Sequence, residues 1–222
     1  CYYTTTAGLV RSFDGTTVTN LSTSITNYGG GTGSSAFDIA STWDGQPYIT
    51  TKDNRIFRYS GTGTVWNQVG VSNTNVNIDG NPIAKNIIVS RNDDGVWSVM
   101  SVASDASETS LGAPLNTSEI ADVAVDANGG VFVDCSVNNN GTDSPFYVYK
   151  WISNSAWSTL EEQSINLKVI TAGLGGTLWS VPTIVDNGPF LQSNIFTRMI
   201  SGTKVTWLDD ERIRTSPSNP RR

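Results

Sequence analysis

A chain of 222 residues with a net charge of −6 and a pI near 4.5 has no Lys/Arg cluster beyond Arg221 and Arg222. The counterion release that drives binding to nucleic acid or anionic membranes is therefore missing. Histidine is absent altogether, which removes Ser-His-Asp and Cys-His nucleophiles, imidazole acid–base catalysis and His-ligated zinc or iron in one step. Thr, Ser, Asn and Gly outweigh the strong helix formers, and no run approaches the roughly 18 apolar residues of a membrane span, so the sequence predicts one all-β domain over 1–222.

Taken in chain order, CYYTTTAGLVRSFDGTTVTNLST reads as three short strands. The glycine-rich GGGTGSS (29–35) lacks the lysine and the following helix of a phosphate loop and reads as a flexible link. FDIAS (37–41) is then a strand, followed by a polar turn at Gly45 and a second strand, PYITT. RIFRYS (55–60) is a third strand, and TVWNQV a fourth that opens near a tryptophan.

The same order returns with NIIVS (86–90) before Gly95, DVAVD (122–126) before Gly130 and KVITA (168–172) before Gly176. Third strands recur at FYVYKW (146–151) and NIFTRM (194–199), and fourth strands at Trp157 and Trp207. The unit over 84–115 is short and its third strand is obscure. The turns are roughly 35 to 50 residues apart, about one four-stranded propeller blade.

The N-terminal stretch supplies second, third and fourth strands without an inner one, and ERIRTS (211–216) supplies an inner strand with nothing after it. The expectation is a five-bladed β-propeller of four-stranded antiparallel blades, its ring closed by the C-terminal inner strand pairing beside the N-terminal strands. Closure would hide two apolar blade faces and a free sheet edge.

The segments RIFRYSGTGTVWNQVG and VYKWISNSAWSTLE resemble the blades of tectonin-type and tachylectin-type propeller lectins, and kelch and NHL propellers share the Gly-Gly turn and the late tryptophan. The five-blade count resembles the tachylectin type that binds N-acetylhexosamines. The resemblance implies a carbohydrate-binding module whose partners are glycans, and the richness in Ser, Thr and Asn suits an extracellular or particle-surface setting.

Residue chemistry points to the same class. An exposed aromatic ring can stack on the C–H face of a sugar while a nearby Asp or Asn accepts hydroxyl protons. This marks Trp43 with Asp44 and Tyr48, Trp97 with Asn92 and Asp94, and Trp179 as candidate saccharide residues; the competing role is wedging between blades as core. Trp66, Trp157 and Trp207 are expected to fill that interblade role.

Two other functions compete. One is a structural or adhesive block that assembles with copies of itself or into a larger particle. The other is a glycosidase using Asp38 and Asp122, with Lys85, Lys168, Glu119 and Glu211 around one mouth of the channel, although an inner-strand Asp can equally bond a neighbouring blade's backbone. DDG (93–95), DANGG (126–130) and WDG (43–45) are hairpin turns before they are calcium loops, since none has the full ligand set, and no metal or cofactor is expected. Cys1 and Cys135 permit one disulfide, or leave a buried thiol at Cys135. The sequons at Asn20, Asn116 and Asn140 are no more than chance provides. A first residue that is Cys rather than Met suggests a processed precursor or a fragment.

Overall fold

The computed structural model describes residues 1–22, 35–70, 74–137, 146–162, 167–172, 177–182, 196–201 and 204–209. Every regular element among them is a strand, and no helix there is long and apolar enough to cross a membrane. The first sheet joins β1 (Tyr2–Thr4), β2 (Val10–Phe13) and β3 (Val18–Asn20). The second joins β4 (Ala36–Ser41), β5 (Pro47–Thr51), β6 (Ile56–Tyr59) and β7 (Trp66–Val69), in that order. The third is β8 (Asn75–Gly80), β9 (Asn86–Asp93), β10 (Val96–Ala103) and β11 (Glu108–Gly112). The fourth is β12 (Thr117–Val125), β13 (Val131–Val137), β14 (Phe146–Ser153) and β15 (Ala156–Glu162). The fifth is β16 (Leu167–Ala172), β17 (Thr177–Pro182), β18 (Phe196–Ser201) and β19 (Lys204–Asp209). All pairs are antiparallel meanders, and successive sheets meet through their first strands, β4 on β8, β8 on β12 and β12 on β16.

The third sheet corrects one expectation. NIIVS lies in the second strand, β9, because NVNIDG forms the inner strand β8 ahead of it. The DDG turn therefore joins second to third strand, and the unit is a complete four-stranded sheet. Gly95 is consequently not the counterpart of Gly45 and Gly130, which join first to second strands. The closing segment 211–216, most of GGGTGSS and Asn140 lie outside the described residues.

The sheets stack face to face through alternating side chains. Val10, Leu21, Ile49, Phe57 and Trp66 fill the seam between the first two sheets. Tyr48, Ile56, Ile78, Ile87, Val89 and Val102 fill the next. Val123, Val125, Val131, Val133, Cys135 and Val137 fill the third, against which Trp97, Tyr149 and Trp157 rest. Cys135 is thus a buried core thiol, pushed up to about 12 by burial, while Cys1 is exposed and both are free.

The late tryptophans serve as ties between sheets. Trp66 Nε1 donates to Leu21 O (3.0 Å) and Trp157 Nε1 to Leu111 O (3.1 Å), in each case reaching the preceding sheet. The side chain of Trp207, on β19, lies outside the described residues.

Candidate functional site

The turn between β4 and β5 is held from three sides. Gly45, at φ 77°, closes it with its N–H on Thr42 O (2.8 Å). Tyr2 Oη donates to Gly45 O (3.0 Å) from the first sheet, and Gln46 Nε2 donates to Tyr59 O (2.5 Å) within the second. Trp43 N donates to Asn81 O (3.1 Å) in the loop between β8 and β9 of the third. These ties fix the backbone and leave the Trp43 ring 57% exposed.

Charge gathers beside that ring. Lys85 Nζ stands 5.6 Å from the Trp43 ring centre and 3.5 Å from Asp44 Oδ2. Thr42 Oγ1 donates to Asp44 Oδ1 (2.7 Å). The Thr42 hydroxyl holds the Asp44 carboxyl below its ordinary range, against an opposing effect of burial and with help from the Lys85 ammonium. The loop bearing Lys85 is itself anchored, since Ser104 N donates to Lys85 O (3.1 Å) and Ile83 N to Asn81 Oδ1 (3.0 Å). The result is an exposed surface with an aromatic platform, a carboxylate and an ammonium on two adjacent loops.

The other sequence candidates fall elsewhere. Tyr48 is 1% exposed and belongs to the seam between the second and third sheets, so it cannot present its face to a ligand. Asn92 and Asp94 form the β9–β10 turn: Asn92 Oδ1 accepts from Gly95 N (2.8 Å), and Asp94 has φ 49°. In an antiparallel meander that turn is at the opposite end of the blade from Trp43. Trp97 is half-buried against the third seam. Trp179 is on β17, opposite Thr171 and Thr197, and its side chain lies outside the described residues.

Asp38 and Asp122 bind backbone. Asp38 accepts from Ile39 N (2.8 Å) and, across the seam, from Ile78 N (3.1 Å). Asp122 accepts from Val123 N (2.9 Å) and Ile170 N (2.8 Å) of the next sheet. Asp79, which no sequence pattern marks, does the same with Gly80 N (2.7 Å) and Val125 N (2.7 Å). A bulge in each inner strand, between Ala36 and Asp38, Asn75 and Ile78, Ile120 and Asp122, and Leu167 and Val169, breaks the ladder where these links form. Each of these three carboxylates thus has both oxygens on main-chain donors and ties one inner strand to the next.

The DANGG loop is closed by its own carboxylate. Asp126 Oδ1 accepts from Asn128 N (2.9 Å) and Gly130 N (2.7 Å), as turn chemistry requires. Among the described residues no three Asp, Glu, Cys or His side chains are placed to hold a metal.

No family model matches the sequence, and none of the curated proteins does. Similarity appears at the level of solved structures, among them the following β-propeller proteins. Nidogen in its complex with laminin is 14% identical with a TM-score of 0.65, over 92% of this chain and 73% of that one. A putative TolB from Agrobacterium tumefaciens is 12% identical with a TM-score of 0.60, over 80% of this chain and 63% of that one. A virginiamycin B lyase from Staphylococcus aureus, in a catalytically inactive histidine-to-alanine variant with quinupristin, is 12% identical with a TM-score of 0.61, over 95% of this chain and 69% of that one. At these identities the likeness shows the fold: the chain is a β-propeller. It spans under two thirds of the TolB chain.

Proposed function

We propose that the protein is a non-catalytic recognition module that binds saccharides at the Trp43 surface. The observation that carries this reading is an indole left 57% exposed on a turn tied to three sheets, with Asp44 and Lys85 at its edge. A ring that served only as core would be covered, as Trp66 is. The strand-level resemblance to tectonin and tachylectin blades supports the same class. A catalytic reading is less favoured because the chain has no histidine and its repeated inner-strand carboxylates are engaged by backbone amides.

The corresponding loops of the next two sheets, which open on Asn81 and Asp126 as this one opens on Thr42, carry Pro82 and Ala127 where this one carries Trp43. The reading is therefore one aromatic platform on the described loops, not an equivalent site in every blade, and high avidity would need several copies on one surface. Trp43→Ala is expected to lower binding on a glycan array or by calorimetry about tenfold or more, with the melting temperature unchanged because the ring is exposed. A glycan array without a hit overturns the reading.

We propose further that residues 211–216 close the ring beside β1. The first sheet has three strands where the others have four. Phe13 N donates to Cys1 O and Thr5 N to Leu9 O (both 2.8 Å), so by alternation the amides and carbonyls of Tyr2 and Thr4 face the other edge, which no described strand covers. Deleting 211–222 is expected to lower the melting temperature by about 10 °C or more, since an open edge and an uncovered face would follow. An unchanged melt rules this closure out.

A further inference from the structure

We infer that the Trp43 surface selects neutral pyranosides with two adjacent gauche hydroxyls and discriminates against anionic sugars. The inference rests on the saccharide reading above and adds to it the role of the Asp44–Lys85 pair.

The pair is asymmetric in what remains available. Asp44 Oδ1 is occupied by the Thr42 hydroxyl at 2.7 Å, so Oδ2 is the oxygen turned to Lys85 and to any arriving donor. The ammonium has three N–H groups, its side chain is 58% exposed, and the 3.5 Å approach to Asp44 engages one direction only. An acceptor and a donor therefore stand side by side at the edge of an aromatic platform.

A vicinal diol fits such an edge because each hydroxyl both donates and accepts. One hydroxyl can donate to Asp44 Oδ2 while its neighbour accepts from Lys85 Nζ, and the sugar's C–H face lies on the indole. Lys85 Nζ lies 5.6 Å from the centre of the Trp43 ring, so a sugar whose hydroxyl reaches it lies on the same face, beside the ammonium. Trans-diaxial hydroxyls cannot span the two groups together.

Anionic sugars meet the reverse situation. Lys85 is already balanced by Asp44, so a uronate or sialate must pull the pair apart or place its charge beside a carboxylate. The nearby guanidinium of Arg58 is committed across the seam, with Nη1 donating to Ser104 O (2.8 Å). The net charge of −6 adds long-range repulsion of the same sign.

The test is calorimetric titration of the full chain with methyl hexopyranosides, the matching methyl uronides and a sialoside, repeated on Asp44→Asn and Lys85→Met. Both positions are at the surface, and a thermal melt checks that each variant is folded. The expected result is binding of a neutral pyranoside, at least about tenfold weaker binding of its uronide, and a loss of about tenfold or more in both variants. A uronide or sialoside that binds as tightly, with Asp44→Asn tightening it, overturns the selectivity and leaves the lectin reading standing. Neutral binding that neither variant changes likewise overturns the role of the pair. No binding of any sugar overturns both readings.

Discussion

Gly80→Ala is expected to destabilise the protein by about 3 kcal/mol and lower its melting temperature by about 10 °C. Gly80 ends β8 where that strand crosses β4 of the preceding sheet. A Cβ built on it would overlap the carbonyl oxygen of Ser41 and lie 2.5 Å from the carbonyl carbon, so the obstacle is main chain and cannot swing aside. Relief would require the two inner strands to separate, which strains the neighbouring links from Asp38 to Ile78 N and from Asp79 to Val125 N. Gly95→Ala is the control. It has nothing within 4 Å of its Cβ and pays only for a φ of 87°, about 1 kcal/mol. Equal losses in the two variants, read by thermal or denaturant unfolding, would count against backbone contact as the cause.

Gly80 also explains why part of the fold was legible in the sequence and part was not. β4 and β12 were recognisable because an apolar strand runs into a turn containing Gly45 or Gly130. β8 alternates Asn with apolar residues and runs into NPIAKN, so neither its period nor its turn carries that signature, which the DDG turn one strand later carries instead. Asp79 was lost with that strand, although Asp38 and Asp122 had already marked the interblade role it shares. At the site, Trp43 and Asp44 stood out as an aromatic and an acid inside a polar turn. Lys85, forty residues on, reaches them only because the inner loops of two sheets lie side by side, a register no local pattern encodes. Tyr48 could not be separated from Trp43 by type or spacing: PYITT is buried on both faces, so alternation along β5 does not mean exposure.

Asp134 was silent in the sequence and carries the second large effect: stability should fall as pH rises from about 4 to 8, and Asp134→Asn should flatten that fall. Asp134, in β13, is fully buried opposite Asp122 in β12, and among the described residues neither of its carboxylate oxygens has a hydrogen-bond partner. Burial, then the charges of Asp122 and Glu119, pushes it well above the usual carboxylate range. Lys150, on β14, holds its ammonium over Phe132, 5.4 Å from the ring centre. Burial is also the leading cause that takes Asp122 up to about 8 and Asp79 to about 6, and it raises Asp38, in each case against their backbone hydrogen bonds. Unfolded, these carboxyls would lose their protons near pH 4. Between there and pH 8 the folded chain holds more protons than the unfolded one, so its advantage is complete below pH 4 and lost as pH climbs through 6 and 8, by an amount on the order of several kcal/mol. Exposed Asp14 and Asp105, held low by Thr17 and Ser107, act in the opposite sense only below about pH 4. The melting temperature should therefore peak in mild acid. At pH 8, Asp134→Asn replaces a buried carboxyl, which must either keep its proton at a cost or ionise beside Asp122, with a neutral amide, for a gain of about 2 kcal/mol, or about 6 °C. Asp122→Asn should lower the melting temperature at the same pH, because Val123 N and Ile170 N donate to different oxygens and the NH2 that replaces one of them cannot accept. A melting temperature that rises from pH 4 to 8, or an Asp134→Asn variant less stable than the parent at pH 8, would mean that the Asp134 charge is compensated within the fold.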